Sequence, residues 1–269
     1  MYKRQAITIT GTLEVTSGSL IIDPGSINNS GLLVASAGTM QIDDTPVINT
    51  GELLATAGGT LILNGETVTN TGTVEVDAGP PVSTLDLETA TISGSIVNVY
   101  GILDSFGTSA INGGAAITIA STGTLEAITG TLTIDPSSIN NAGKLAADGG
   151  ALNIDNVTSF TNSGTLLATA GVTLVLSADT VSGTGTVEVD TGTPAATLNF
   201  EGSSISGGTV TVDGLFNSTG TSSISDAAIT IASTGTLESV SYTHLVWQTR
   251  CHSERGRTCN VSRHVRSGG

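Results

Sequence analysis

The sequence predicts an all-β fold, a parallel β-helix (β-solenoid) with coils of about 20–24 residues, and three observations predict it. Asn-x-Gly returns at a spacing of 20 or 21 residues, as Asn29-Ser-Gly31, Asn49-Thr-Gly51 and Asn70-Thr-Gly72, then as Asn141-Ala-Gly143 and Asn162-Ser-Gly164. Apolar residues recur at three fixed offsets from each of these glycines. A longer unit of about 112 residues occurs twice and begins a third time: Leu13, Leu125 and Leu237 sit at the same place in Ala6-ITITGTLE, Ala116-ITIASTGTLE and Ala228-ITIASTGTLE.

The strands follow from those offsets, in chain order. Ahead of each corner glycine, Ile27, Val47 and Val68 mark a first short strand. After it, Leu33/Ala35, Leu53/Ala55 and Val74/Val76 mark a second. About ten residues past the glycine, Met40/Ile42, Leu61/Leu63 and Leu85/Leu87 mark a third, to which Leu20/Ile22 and Leu132/Ile134 also belong. The second copy repeats the set with Ile139, Phe160 and Val181, then Leu145/Ala147, Leu166/Ala168 and Val187/Val189, then Leu152/Ile154, Leu174/Leu176 and Leu198/Phe200. The residue between the members of a pair is usually polar, as at Gln41, Glu75, Asp86, Thr133, Asn153 and Glu188. Apolar residues two apart, bounded by Gly, Asn and Ser, describe short strands with one buried face. No window sustains a helical stripe, and Thr, Val and Ile suit strands better than helices. Strands this short cannot close a core singly. Stacked in parallel, coil on coil, they make ladders down an apolar interior, and ten or eleven coils at ~4.8 Å give a rod of about 50 Å.

Asn29, Asn49, Asn70, Asn141 and Asn162 fall at one recurrent corner. Asparagine tolerates left-handed backbone, its amide can bond the same amide one coil away, and a following glycine takes positive φ at little cost. The expected role of this row is therefore structural.

The chain divides into three parts by composition. Residues 6–239 form the repetitive body, in which 22 carboxylates face a single cation, Lys144. The remaining Lys and Arg, both cysteines, all three histidines and the single Trp247 lie at the ends, so the overall net charge of −15 blends two compositions. Met1-YKRQ-5 and Val240-SYTHL-245 resemble a sequencing-library transposase adapter translated from opposite strands. Residues 1–5 and 240–269 are therefore read as non-native, the tail as disordered, and set apart from the fold. This removes Cys251, His252, Cys259 and His264, whose residue types suit zinc but whose spacing matches no standard zinc motif.

The body has little catalytic vocabulary. Without Cys, His or Arg it holds no Ser–His or Cys–His nucleophile and no histidine-ligated metal. Its acidity argues against nucleic acid and anionic membranes, and no run of 18 apolar residues offers a membrane span. Asp43-Asp44 is the one adjacent acidic pair and reads as a solvated corner. Gly149-GALNID-155 and Gly207-GTVTVD-213 do not fit the calcium nonapeptide, leaving only weak divalent-cation binding without defined ligands. Thr71-x-Thr73, Thr131-x-Thr133 and Thr209-x-Thr211 fall at different phases, which argues against a flat water-ordering array. No catalytic, cofactor-binding or metal-ligating residue is assigned, and no cofactor is expected.

The Asn-x-Gly-T-L-x-A corners and Gly-T-L-x-[Ile/Leu]-[Asp/Asn] strands resemble the repetitive passenger regions of bacterial autotransporter and filamentous-haemagglutinin-like adhesins. That resemblance implies an extracellular or cell-surface setting, with surface glycans or proteins bound by modules elsewhere. The expected function is a non-enzymatic stalk or surface-display segment; the alternative is a polysaccharide-binding or polysaccharide-degrading β-helix.

Overall fold

The computed structural model describes residues 5–240, and over them the expected fold is present: 34 strands and no helix. Each strand pairs in parallel with the strands three before and three after it, giving sheets of 12, 11 and 11 strands. Ser26–Asn29, Leu32–Ser36 and Thr39–Asp43 make one coil, contributing to the first, second and third sheets in turn. Val47–Asn49, Glu52–Thr56 and Thr60–Asn64 stack on them in register. Three strands per coil give about eleven coils. The ends read as non-native, and with them Cys251, His252, Cys259 and His264, lie outside the described residues apart from Gln5 and Val240.

The apolar offsets are the core. Within the sheets, buried and half-exposed residues alternate, so every second side chain enters the interior. Ile27, Val47, Val68, Ile92, Ile111, Ile134, Ile154, Leu176 and Phe200 form one unbroken buried column along the first sheet. Phe200 meets Phe216 of the next coil edge to face, with ring centroids 5.4 Å apart. This placement in the ladder is the one expected for Phe160 and Phe200.

The long repeat and the coil do not share a period. From Ala6–Ile9 to Ala116–Ile119 is sixteen strands, as it is from there to Ala228–Ile231. Sixteen strands are five coils plus one strand, so each copy starts one face further round the rod. The three AITI strands lie in the first, second and third sheets respectively. Glu14, Glu126 and Glu238, identical in the repeat, consequently stand on the second, third and first sheets.

Two expectations about the corner are corrected. The asparagines do not form a single row: Asn29, Asn49 and Asn70 stack where the first sheet turns into the second, Asn141 and Asn162 where the second turns into the third. The corner glycines are not there for positive φ, and neither the glycines at 31, 51, 72, 143, 164 and 185 nor the five asparagines adopt it. They are needed for space. A Cβ on Gly51 would overlap the carbonyl oxygen of Gly31, and one on Gly164 that of Gly143. Coils separated by one strand spacing leave no room for a side chain aimed along the axis.

Candidate functional site

Two groupings of polar side chains stand out from the ladder: the buried corner asparagines and the acids of the third sheet. The asparagine amides bond along the rod, Asn29 Nδ2 donating to Asn49 Oδ1 and Asn49 Nδ2 to Asn70 Oδ1, each at 2.8 Å. Asn141 donates to Asn162 in the same way, also at 2.8 Å. Each Nδ2 also donates to the carbonyl of a residue one coil further on: Glu52, Thr73, Ile96, Thr165 or Thr186. These side chains are consumed by the backbone, which is the structural role expected of them.

The outer face of the third sheet gathers acids from both copies. Asp86, Asp104 and Glu126 occupy one position in three successive coils, followed by Ala146, Leu167 and Glu188. Burial between neighbouring strands, reinforced by the charges of Asp104 and Glu88, pushes the Asp86 carboxyl up to about 6. Asp104 is likewise pushed up to about 6, by burial first, then by Glu126 and Asp148, with Lys144 opposing. One of its oxygens, Oδ1, is buried without a hydrogen-bond partner. Lys144 is clasped between Glu126 and Asp148. Its partial burial works against the charge, but those two partners prevail and raise its pKa.

A column of hydroxyls runs beside these acids. Thr39, Thr60 and Thr84 stack in register, then Thr124, Thr165, Thr186 and Thr209, interrupted by Ile102 and Lys144. Thr-x-Thr pairs do not reveal this column; the repeated Gly-Thr-Leu strand starts were the available signal. The neighbouring outward column is mostly acidic or apolar, with Gln41 and Thr211 near its ends, so no flat threonine array forms. Thr73, Thr131-x-Thr133 and Thr209-x-Thr211 lie on three different sheets, and Thr71 lies in the turn before its strand.

Asp43 and Asp44 do not converge on a common target. Asp43 is half-buried and accepts from Asn64 Nδ2 at 2.5 Å, while Asp44 is exposed in a turn at φ 44°. Glu75 and Glu188, between the valines of the two TVEV strands, face outward; Glu75 accepts from Asn98 at 3.0 Å. Among the described residues, no three His, Cys, Asp or Glu side chains are grouped so as to hold a metal ion.

Two further carboxylates were not singled out by sequence. Glu66 and Asp179 are 4% and 1% exposed, at equivalent corners of the two copies. Glu66 lies two residues before Val68 and Asp179 two before Val181, so the alternation that puts the valines inside points to these acids as well. They pass for ordinary solvated acids only if corners are held to lie outside the period-two pattern.

No protein family and no curated protein sequence matches the chain. Among solved structures, the chain is similar to the crystal structure of a TibA fragment hyper-glycosylated by TibC. The identity is 17%, 90% of this chain and 99% of that chain are covered, and the TM-score is 0.27.

Proposed function

We propose that the described body is a non-enzymatic spacer, a stiff stalk or display segment of an extracellular, adhesin-like bacterial surface protein. The observation that carries this reading is the continuity of the ladders. All three sheets run the full length of the described chain, and their hydrogen bonds lie along the rod axis. Pulling the ends apart loads whole coils of parallel bonds together, and this resists extension. The acidic outside keeps such a rod dispersed and attracts divalent cations diffusely. The resemblance of the corner and strand motifs to adhesin passenger regions supplies the surface setting. Binding of glycans or proteins belongs, on this reading, to modules elsewhere.

Because each copy begins one sheet further round, a longer array of the same unit has no privileged face. Three copies, sixteen coils or about 77 Å at ~4.8 Å per coil, bring an equivalent residue back to the same side. A rod of this kind presents its repeated surface in three directions.

Electron microscopy and turnover assays test the proposal together. Rods of about 50 Å, with no product released from neutral or acidic polysaccharides, are expected. Cleavage of a polysaccharide, with the release of new chain ends, would overturn it in favour of a β-helix enzyme.

A further inference from the structure

One corner of the repeat unit turns a residue inward in successive coils, at a different edge of the solenoid in each copy. In the first copy, Thr45, Glu66, Ala90 and Ser109 occupy it, between the third and first sheets; in the second, Val157, Asp179 and Ser203, between the first and second. Thr45 Oγ1 donates to the carbonyls of Asp43 and Pro24. Ser109, Asp179 and Ser203 act alike, the side chain in one coil accepting from the backbone amide of the same position in the coil beneath. Ser109 Oγ accepts from Ala90 N at 3.2 Å, Asp179 Oδ1 from Val157 N at 2.7 Å, and Ser203 Oγ from Asp179 N at 2.9 Å. Asp179 Oδ2 also accepts from Ser177 N at 3.0 Å. Glu66 breaks the pattern: both of its carboxylate oxygens are buried without a well-formed hydrogen bond, and only the nearby backbone amides of Glu66 and Asn64 favour its charge.

The surroundings of both acids are negative. Asp43 and Asp44, from the coil beneath, act on Glu66; Glu88 belongs to the coil above, where its carbonyl accepts from Gly65. Asp155 and Asp135, from one and two coils beneath, act on Asp179; Glu201 belongs to the coil above, where its carbonyl accepts from Ala178. Lys144, the one Lys or Arg among the described residues, is engaged with Glu126 and Asp148. Among the described residues, no free cation is at hand to neutralise either buried carboxylate.

We propose that Glu66 is a pH-sensitive latch, holding a proton while its corner is closed and loosening its coil when the proton leaves, with Asp179 at the equivalent corner of the second copy as an amide-capped counterpart that responds less. Burial, the largest influence, agrees with this: it pushes Glu66 up to about 8, with Asp43 and Asp44 adding and nearby backbone amides subtracting. It pushes Asp179 up to about 7, against the two amides that favour its charge. A carboxyl whose folded pKa is raised holds its proton more tightly in the fold. Its stabilisation is therefore full below the unfolded pKa near 4.5 or 3.8 and is lost as pH rises through the folded value. Asp86 and Asp104 act in the same direction at lower pH. The rod is tightest in mildly acidic surroundings and loosest above about pH 8.

Thermal unfolding of the full chain between pH 5 and 9 tests the proposal, with Glu66→Gln, Asp179→Asn and the double variant alongside. The wild-type midpoint is expected to fall across the range. Each group contributes about a tenfold loss in the folding equilibrium per pH unit where its protonation differs between the states. Glu66→Gln flattens the curve between pH 5 and 8, Asp179→Asn flattens it below pH 7, and the double variant flattens it most. A wild-type midpoint that rises over this range, or slopes unchanged in the variants, would overturn the proposal. If a variant fails to fold, carboxyl carbon chemical shifts of the wild-type chain give the answer directly: a Glu66 midpoint above 7 supports the latch, and one near 4.5 defeats it. Calcium added at pH 8.5 serves as the control. Stabilisation of the wild type but not of Glu66→Gln would replace the proton by a bound cation and overturn the latch.

Discussion

The two copies of the long unit have the same strands in the same order, yet almost nothing equivalent in them faces the same way. The strand Glu52–Thr56 of the first copy lies in the second sheet, and its counterpart Thr165–Ala168 in the third. The core tolerates this because each interior column needs only an apolar residue of suitable size. Leu63, in the third sheet, and Leu176, in the first, are both fully buried. The outer faces change more. The acids of the third sheet come from strands that are not equivalent, Asp86 and Asp104 from one copy and Glu126 and Glu188 from the other. A solenoid thus reads its sequence by coil and not by unit. The interior pattern recurs every three strands, whereas the long repeat distributes surface groups around the rod.

The corner ladders differ too. The first copy has three linked asparagines and the second has two, with Gly183 standing where the third would be, against the Asn162 carbonyl. Asn141 begins its ladder above Ile119, and its Oδ1 is buried without a partner.

The strongest way to break the comparison is a charge in the core. Leu63→Asp and Leu176→Asp should each unfold neighbouring coils, costing several kcal/mol (roughly 4 or more), as read by loss of the cooperative melting transition. Equal melting of either variant and the wild type would show the phase of that copy to be wrong. Next come the corner glycines: Gly51→Ala and Gly164→Ala should each cost about 1–3 kcal/mol, because the coils must separate locally. Chemical denaturation measures both, and similar losses would show that the two edges work alike despite their different faces.

Asparagine truncation sharpens the contrast. Asn49→Ala severs ladder bonds on both sides and a bond to Thr73, whereas Asn162→Ala severs one ladder bond and a bond to Thr186. Losses of about 2–3 and 1–2 kcal/mol are expected, in that order. The smallest effect is at the surface. Lys144→Met should cost under about 1 kcal/mol, given its partial exposure, while raising the pKa of Asp104 further, which a carboxyl chemical-shift titration can follow.

Much of the rod was legible because its rules are local. The alternation of Leu85 and Leu87 around Asp86 states which side chains enter the core, and the three offsets state that a coil has three strands. The reason for the corner glycines was not local. Backbone freedom at Gly51 and crowding against Gly31 give the same residue preference, and only the stacked coils distinguish them. Glu66 was overlooked although its phase relative to Val68 was available, since a carboxylate two residues before a buried valine in a turn is ordinarily solvated.

The sequence by itself determined the strands, their inward faces and the coil that joins them, because side-chain alternation and glycine-bounded turns are properties of a short stretch of chain. The tertiary structure alone decided which groups meet. Sixteen strands do not divide by three, so the neighbours of Asp104, the split of the asparagines into two edges and the enclosure of Glu66 and Asp179 all depend on how the coils stack.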